Sequence, residues 1–188
     1  MSGLDLVLRG GRVIDGSGSP WIRADVGVTG DRIVAVDVGL GSARRTVDLD
    51  GLVVSPGFVD MHTHSDIQIL AAPSHAAKVH QGVTLELLGQ DGLSFAPVDD
   101  DVLATLRSQL EAWNGDPPGF DWGWYTVAGY LDRLDGGVAV NAAYLAPHGT
   151  IRMLAMGQEN RAPTDEELAE MKRLVATALD EGAVGLSA

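Results

Sequence analysis

The pattern of apolar residues changes at Pro56, and this change limits the folds that the chain can adopt. Before Pro56, short aliphatic runs alternate with polar residues and are separated by Gly-Gly, Gly-Asp and Asp-Gly pairs. Such pairs favour tight hairpin turns, because their residues tolerate the positive φ that these turns require. We therefore predict a small antiparallel sheet over residues 1–55.

After Pro56 the sequence alternates strands with helices. We predict strands over residues 59–62, 83–88, 138–145 and 183–187, with a helical turn over residues 76–80. A crossover between parallel strands needs a connection about as long as a helix. The alternation therefore predicts an α/β fold with a parallel sheet.

Two longer helices are predicted from capping residues and apolar spacing. Asp99 can cap a helix with an apolar face at spacings of three and four. The residues of that face are Leu103, Leu106, Leu110 and Trp113. Thr164 and Glu167, three residues apart, form the pattern of a capping box at the start of the second helix.

The charge balance argues against polyanionic partners. The 188 residues include 13 basic and 26 acidic residues, which gives a formal net charge of −13. A field of that sign repels phosphate groups, so we expect neither nucleic acid nor a membrane surface as a partner. The chain has no cysteine. Its apolar runs are all much shorter than the about 20 residues that a helix needs to span a bilayer. These features predict a cytoplasmic protein and leave its oligomeric state open.

The stretch GFVDMHTHSD ends a short apolar run with two histidines, His62 and His64. Alternate side chains of a strand point to the same side, so both imidazoles can face one point beyond the strand end. Neutral imidazole is a good ligand for zinc and similar divalent ions. Parallel sheets hold their sites at this carboxyl end, so we predict a metal site, with an exposed polar pair as the alternative.

Five segments occur in a characteristic order over nearly the whole chain: DLVLRGGRVIDGSG, SPGFVDMHTHSD, KVHQGVTLELLGQDGLSFAPV, HGTIRMLAMG and EGAVGLS. Together they resemble the D-aminoacylase group, the N-acyl-D-amino-acid deacylases, of the metal-dependent amidohydrolase superfamily. The resemblance implies a small antiparallel β-sandwich over residues 1–55, followed by the N-terminal part of a (β/α)8 TIM barrel over residues 56–188. It also implies amide hydrolysis of small N-acyl-D-amino acids with one or two zinc ions.

The resemblance also assigns roles to single residues. His62 and His64 match the metal ligands of the first barrel strand. Asp91, in GQDG, falls where the group commonly carries a metal-ligating cysteine, and a carboxylate is a harder ligand than a thiolate. Asp91 as a cap of the following turn is the alternative. His148 can contact substrate, although a structural role in its loop explains it equally well.

Four further residues are weaker candidates. Asp66 either orients His64 or begins a helix. Glu86 lies within an aliphatic strand, where a buried carboxylate would need a partner or a metal ion. His75 and His80 are interpreted as structural or surface residues.

The sequence stops at Ala188, inside the fourth predicted strand. A complete barrel has eight strands and about 250 residues. The catalytic aspartate and the later histidine ligands that the resemblance implies would lie beyond Ala188, so we expect an N-terminal part that is inactive alone. The alternatives are a cyclic amidase similar to hydantoinase or dihydroorotase, and a non-catalytic remnant or binding module.

Overall fold

The computed structural model describes residues 3–188 of the chain. These residues divide into two compact units, with the division after Pro56. Within the described residues, no helix combines the length and the apolar character needed to cross a membrane.

The first unit is a five-stranded sheet. Its strands are β1 (Leu4–Val13), β2 (Ile22–Thr29), β3 (Arg32–Asp37), β4 (Ala43–Asp48) and β5 (Val53–Val54). The strand order is β3-β2-β1-β4, and β5 also pairs with β1. The antiparallel prediction is correct for the pairs β1-β2 and β2-β3. It is wrong for β4 and β5, which both run parallel to β1.

The role of the glycine pairs explains this difference. The Gly-Asp pair at residues 30–31 joins β2 to β3 as predicted, whereas Gly10 and Gly11 lie inside β1. The register of β1 against β2 shifts between Leu8 and Gly11, and Gly10 has a φ of 71°. A glycine at positive φ makes a β-bulge as readily as a turn, so the sequence alone does not tell the two apart.

The second unit contains a parallel sheet, as predicted. Its strands are β6 (Phe58–Asp60), β7 (Val83–Leu88), β8 (Asn141–Pro147) and β9 (Gly185–Ser187), and they lie side by side in chain order. The last two strands begin later than predicted. Val138 and Val140 pack into the core before β8 starts, and Ala183 does so before β9.

Six helices connect these strands. They are α1 (Gln68–Ala71), α2 (Ala76–Val79), α3 (Asp100–Asn114), α4 (Val127–Asp135), α5 (His148–Met156) and α6 (Asp165–Asp180). The core is formed by strand residues such as Leu88 and Tyr144 together with helix residues such as Leu106 and Ile151. Helix α4 was not predicted, although Val127, Tyr130 and Leu134 are buried at spacings of three and four.

Both predicted helix caps are present. The Asp99 side chain accepts a hydrogen bond from the backbone N–H of Val102, and Thr164 forms a complete capping box with Glu167. The prediction for Trp113 is wrong: its side chain is 62% exposed, and Val102 is buried on α3 instead. The buried face of α3 continues from Leu110 to Asn114, which is 1% exposed, so Trp113 lies one residue off that face.

Thr164→Ala should destabilise the second unit by about 1 kcal/mol, because α6 loses the oxygen that accepts the N–H of Glu167. Thr164→Ser keeps that oxygen and is the matched control. Urea unfolding followed by far-ultraviolet circular dichroism measures both variants. Equal stability of the two variants would contradict a stabilising role for this cap.

Candidate metal centre

Three potential metal ligands meet at the carboxyl edge of the parallel sheet. His62 and His64 follow β6, and Asp91 lies in a short 3-10 turn that follows β7. One ligand atom of each residue lies within 4.8 Å of the other two. Asp91 Oδ2 is 3.3 Å from His62 Nε2 and 3.1 Å from His64 Nε2. The structure therefore brings together the three residues that were predicted as ligands.

The donor set fits a divalent ion of the zinc type. Two imidazole nitrogens and one carboxylate oxygen are common zinc ligands, and three protein ligands leave a position for water or substrate. The side chains of His62 and Asp91 are about half exposed, and that of His64 is 29% exposed. Solvent and small molecules therefore have access to the site.

Asp91 belongs to a tight turn, residues 89–92, which we call the ligand turn. Asp91 has a φ of 55°, in the left-handed region that aspartate tolerates better than most residues. Gly89 and Gly92 also have positive φ. A Cβ atom on Gly89 would lie 2.3 Å from the carbonyl oxygen of Leu145, so only glycine lets the ligand turn approach β8 so closely.

Ser187 holds both ends of the ligand turn. Its hydroxyl donates to the carbonyl oxygen of Gly89 and accepts from the backbone N–H of Gly92, at 3.1 Å in the second case. Ser187 is buried, at 8% exposure. These contacts give Ser187 a structural role at the end of β9.

Asp66 connects the histidine segment to the ligand turn. Its Oδ1 atom accepts hydrogen bonds from the backbone N–H of Gly89 at 3.0 Å and from Ser94 Oγ at 2.5 Å. Burial raises the pKa of Asp66, although the hydrogen bonds from Ser94 and Gly89 oppose this shift. Asp66 does not begin a helix, since Ile67 is the N-cap of α1. Among the described contacts, the Asp66 side chain also forms no hydrogen bond with His64.

Lys78 is a residue of this region that the sequence did not reveal. Its Nζ atom lies 2.5 Å from Asp60 Oδ2 and 3.0 Å from Glu86 Oε1. Burial acts to lower the pKa of Lys78, but the hydrogen bonds to Asp60 and Glu86 raise it above its usual value. The hydrogen bond from Lys78 lowers the pKa of Asp60. Nothing in the sequence marks Lys78, because a lysine on a short helix normally points to solvent.

The other candidates lie apart from the three ligands. Glu86 is completely buried on β7, and its partners are Lys78 and His75, whose Nε2 atom lies 3.1 Å from Glu86 Oε2. The buried carboxylate is thus paired with protein groups. His80 is exposed at the end of α2. His148 begins α5 directly after β8 and is outside the group of three ligands.

Trp113 lies beside the candidate centre. Its ring centroid is 5.2 Å from that of His64, and the two planes are tilted by 46°. The indole covers one side of His64. Most of the Trp113 side chain is exposed, so it also presents an apolar surface next to the ligands. This position was not predictable from the sequence, since it depends on how α3 is directed over the sheet edge.

Comparisons with known proteins identify the family of the chain. Residues 45–188 match the amidohydrolase family. The chain is 42% identical to the D-aminoacylase of Alcaligenes xylosoxydans xylosoxydans over 185 residues, which are 97% of this chain and 37% of that protein. A crystal structure of D-aminoacylase superposes with a TM-score of 0.83 at 38% identity, covering 97% of this chain and 38% of that one.

A second solved structure is that of N-acyl-D-glutamate deacylase from Bordetella bronchiseptica, in complex with zinc and a phosphonate inhibitor that mimics the tetrahedral intermediate. It has a TM-score of 0.82 at 36% identity and covers 98% of this chain and 38% of that one.

The chain belongs to the amidohydrolase family. The resemblance to the D-aminoacylase group and the mixed α/β fold are confirmed. The chain spans less than two fifths of the length of these relatives.

Gly89→Ala should destabilise the second unit by roughly 3 kcal/mol or more, because the added Cβ combines unfavourable positive φ with a clash against Leu145. Gly119→Ala is the matched control: Gly119 has a φ of 72° in the same unit, and a Cβ there would meet no atom within 4 Å. Its cost should be only about 1 to 2 kcal/mol. Urea unfolding measures both, and equal losses would contradict the close approach at Gly89.

Proposed function

We propose that these residues belong to a hydrolase that cleaves the amide bond of N-acyl-D-amino acids, and that His62, His64 and Asp91 hold zinc in it. The observation that carries the proposal is the convergence of these three ligand atoms at one edge of a parallel sheet. Membership of the amidohydrolase family and the similarity to D-aminoacylase support it. One or two zinc ions are consistent with this ligand set, since Asp91 has two carboxylate oxygens.

The same relatives support a finer proposal for the fold. Residues 57–188 would form the first part of a (β/α)8 barrel, with β6 to β9 as its first four strands. Residues 1–56 would form part of a β-sandwich. In a barrel of this kind, the catalytic groups lie at the carboxyl ends of the strands, and this is the edge where the three candidate ligands are found.

The proposal gives each residue a chemical role. A divalent ion held at this centre supplies the Lewis acidity that activates water and polarises an amide carbonyl. His62 and His64 provide neutral nitrogen ligands, and Asp91 provides negative charge that offsets the charge of the cation. Trp113 shields one side of His64 from water and offers apolar surface to an acyl group or side chain. The resemblance implies that an aspartate near the end of the last barrel strand transfers the proton to the leaving amine.

The ligand assignment predicts the effect of three substitutions on zinc affinity. His62→Ala, His64→Ala and Asp91→Asn should each lower the affinity by at least about 10-fold, because loss of a direct ligand costs no less than loss of an outer-shell contact. Asparagine tolerates positive φ, so Asp91→Asn keeps the ligand turn intact. Isothermal titration with Zn²⁺ measures the affinity.

His80→Ala is the control for these substitutions, since it removes an exposed histidine of the same unit. Its zinc affinity should equal that of the unchanged chain. Unaltered affinity in all three ligand variants would refute the metal centre.

The proposed reaction predicts a metal-dependent activity with a preference for the D enantiomer. The full product of the reading frame is assayed with N-acetyl-D-amino acids, their L enantiomers and a hydantoin, and the 188-residue chain is assayed in parallel. We expect hydrolysis of the D substrates that disappears with a chelator and returns with Zn²⁺, and little activity from the 188-residue chain. Ring opening of the hydantoin without amide hydrolysis would instead indicate the cyclic amidase, and no hydrolysis at all would indicate a non-catalytic protein.

A further inference from the structure

A cluster of charged residues around buried Glu86 contacts the segment that carries the two candidate histidine ligands. Glu86 is completely buried, and Asp60 is its register partner on the neighbouring strand β6. A buried carboxylate is costly unless it is paired, and the pairing here comes from Lys78 and His75. The ion pair with Lys78 and the contact with His75 therefore offset part of the cost of burying Glu86.

The Lys78 ammonium donates hydrogen bonds to Asp60 and Thr63 and forms an ion pair with Glu86. Its Nζ atom lies 2.5 Å from Asp60 Oδ2, 3.0 Å from Glu86 Oε1 and 3.0 Å from Thr63 Oγ1. An ammonium group is a donor only, so the three oxygens around it are partners that its charge and its N–H groups favour. Only 24% of the side chain is exposed. Such a group has one well-defined position, unlike a lysine on an open surface.

Two of these oxygens belong to the segment that carries the candidate ligands. Asp60 also accepts the backbone N–H of His62 through Oδ1, at 3.2 Å. Thr63 lies between the two histidines, and its hydroxyl is 2.8 Å from Ser65 Oγ. Contacts from Lys78 therefore reach the chain before His62 and between His62 and His64, and these contacts fix the path of the backbone.

We propose that Lys78 is a positioning residue for the metal centre: anchored on buried Glu86, its ammonium holds Asp60 and Thr63 and thereby directs His62 and His64 at Asp91. This inference rests on the proposed function, because it assumes that the three ligands bind a metal ion. Lys78 acts through the backbone and touches none of the three ligands. Its effect is on the geometry and affinity of the site.

Lys78→Met tests the proposal, because methionine keeps much of the side-chain volume and removes the ammonium. We expect Zn²⁺ affinity to fall by about 10- to 100-fold, as is typical when groups that orient metal ligands are removed. The visible absorption of the Co²⁺-saturated chain should also change, since it reports the arrangement of ligands and not the stability of the fold. Lys172→Met removes an exposed lysine from α6 and should leave both measurements unchanged.

Two further variants keep the test decisive if Lys78→Met fails to fold. Lys78→Met combined with Glu86→Gln removes the buried charge that would otherwise lose its partner. Thr63→Val removes one contact of the ammonium without any change in charge, and should lower Zn²⁺ affinity by about 10-fold or less. Circular dichroism with a chelator present confirms the fold of each metal-free variant.

The outcomes separate this proposal from the one on which it rests. Folded Lys78 variants with Zn²⁺ affinity within twofold of the unchanged chain, and with the same Co²⁺ spectrum, would overturn the role of Lys78 and leave the metal centre standing. Absence of Zn²⁺ binding by the unchanged chain would overturn both. Reduced affinity in the Lys78 variants and in Thr63→Val, with Lys172→Met unaffected, would establish the positioning role.

Discussion

The parallel pairing of β6 with β7 is the constraint on which the candidate site depends. Asp60 lies opposite Glu86 in this pairing, so the two strands end at the same edge of the sheet. The residues that follow each strand then meet: the histidines from one, and Asp91 from the other. A change of register would separate the three ligand atoms, even though each residue would keep its place in the chain.

Hydrogen bonds from several elements then fix the two segments that leave this edge. Ser187 on β9 holds the ligand turn from one side, and Asp66 holds it from the histidine segment. Lys78 on α2 holds the histidine segment itself. Most of these contacts are buried and therefore shielded from water, which makes them effective in positioning side chains that are themselves exposed.

Much of the second unit was predictable, because its signals are local. The alternation of strands and helices, the caps at Asp99 and Thr164, and the His-x-His pair at a strand end all depend on residues a few positions apart. The first unit was predicted less well. Whether Gly10 and Gly11 make a turn or a bulge depends on the pairing of β1 with β2. Whether β4 pairs parallel or antiparallel with β1 depends on partners more than 30 residues away.

The sequence by itself determined the types of element and the chemical nature of the ligands, because apolar periodicity and imidazole chemistry are properties of short segments. The tertiary structure alone decided which distant groups share a site. It placed Asp91 within reach of both histidines, directed Trp113 over His64, and brought Lys78 between two carboxylates. These outcomes follow from strand register and helix direction. Both are set by packing over the whole sheet, so no short stretch of sequence predicts them.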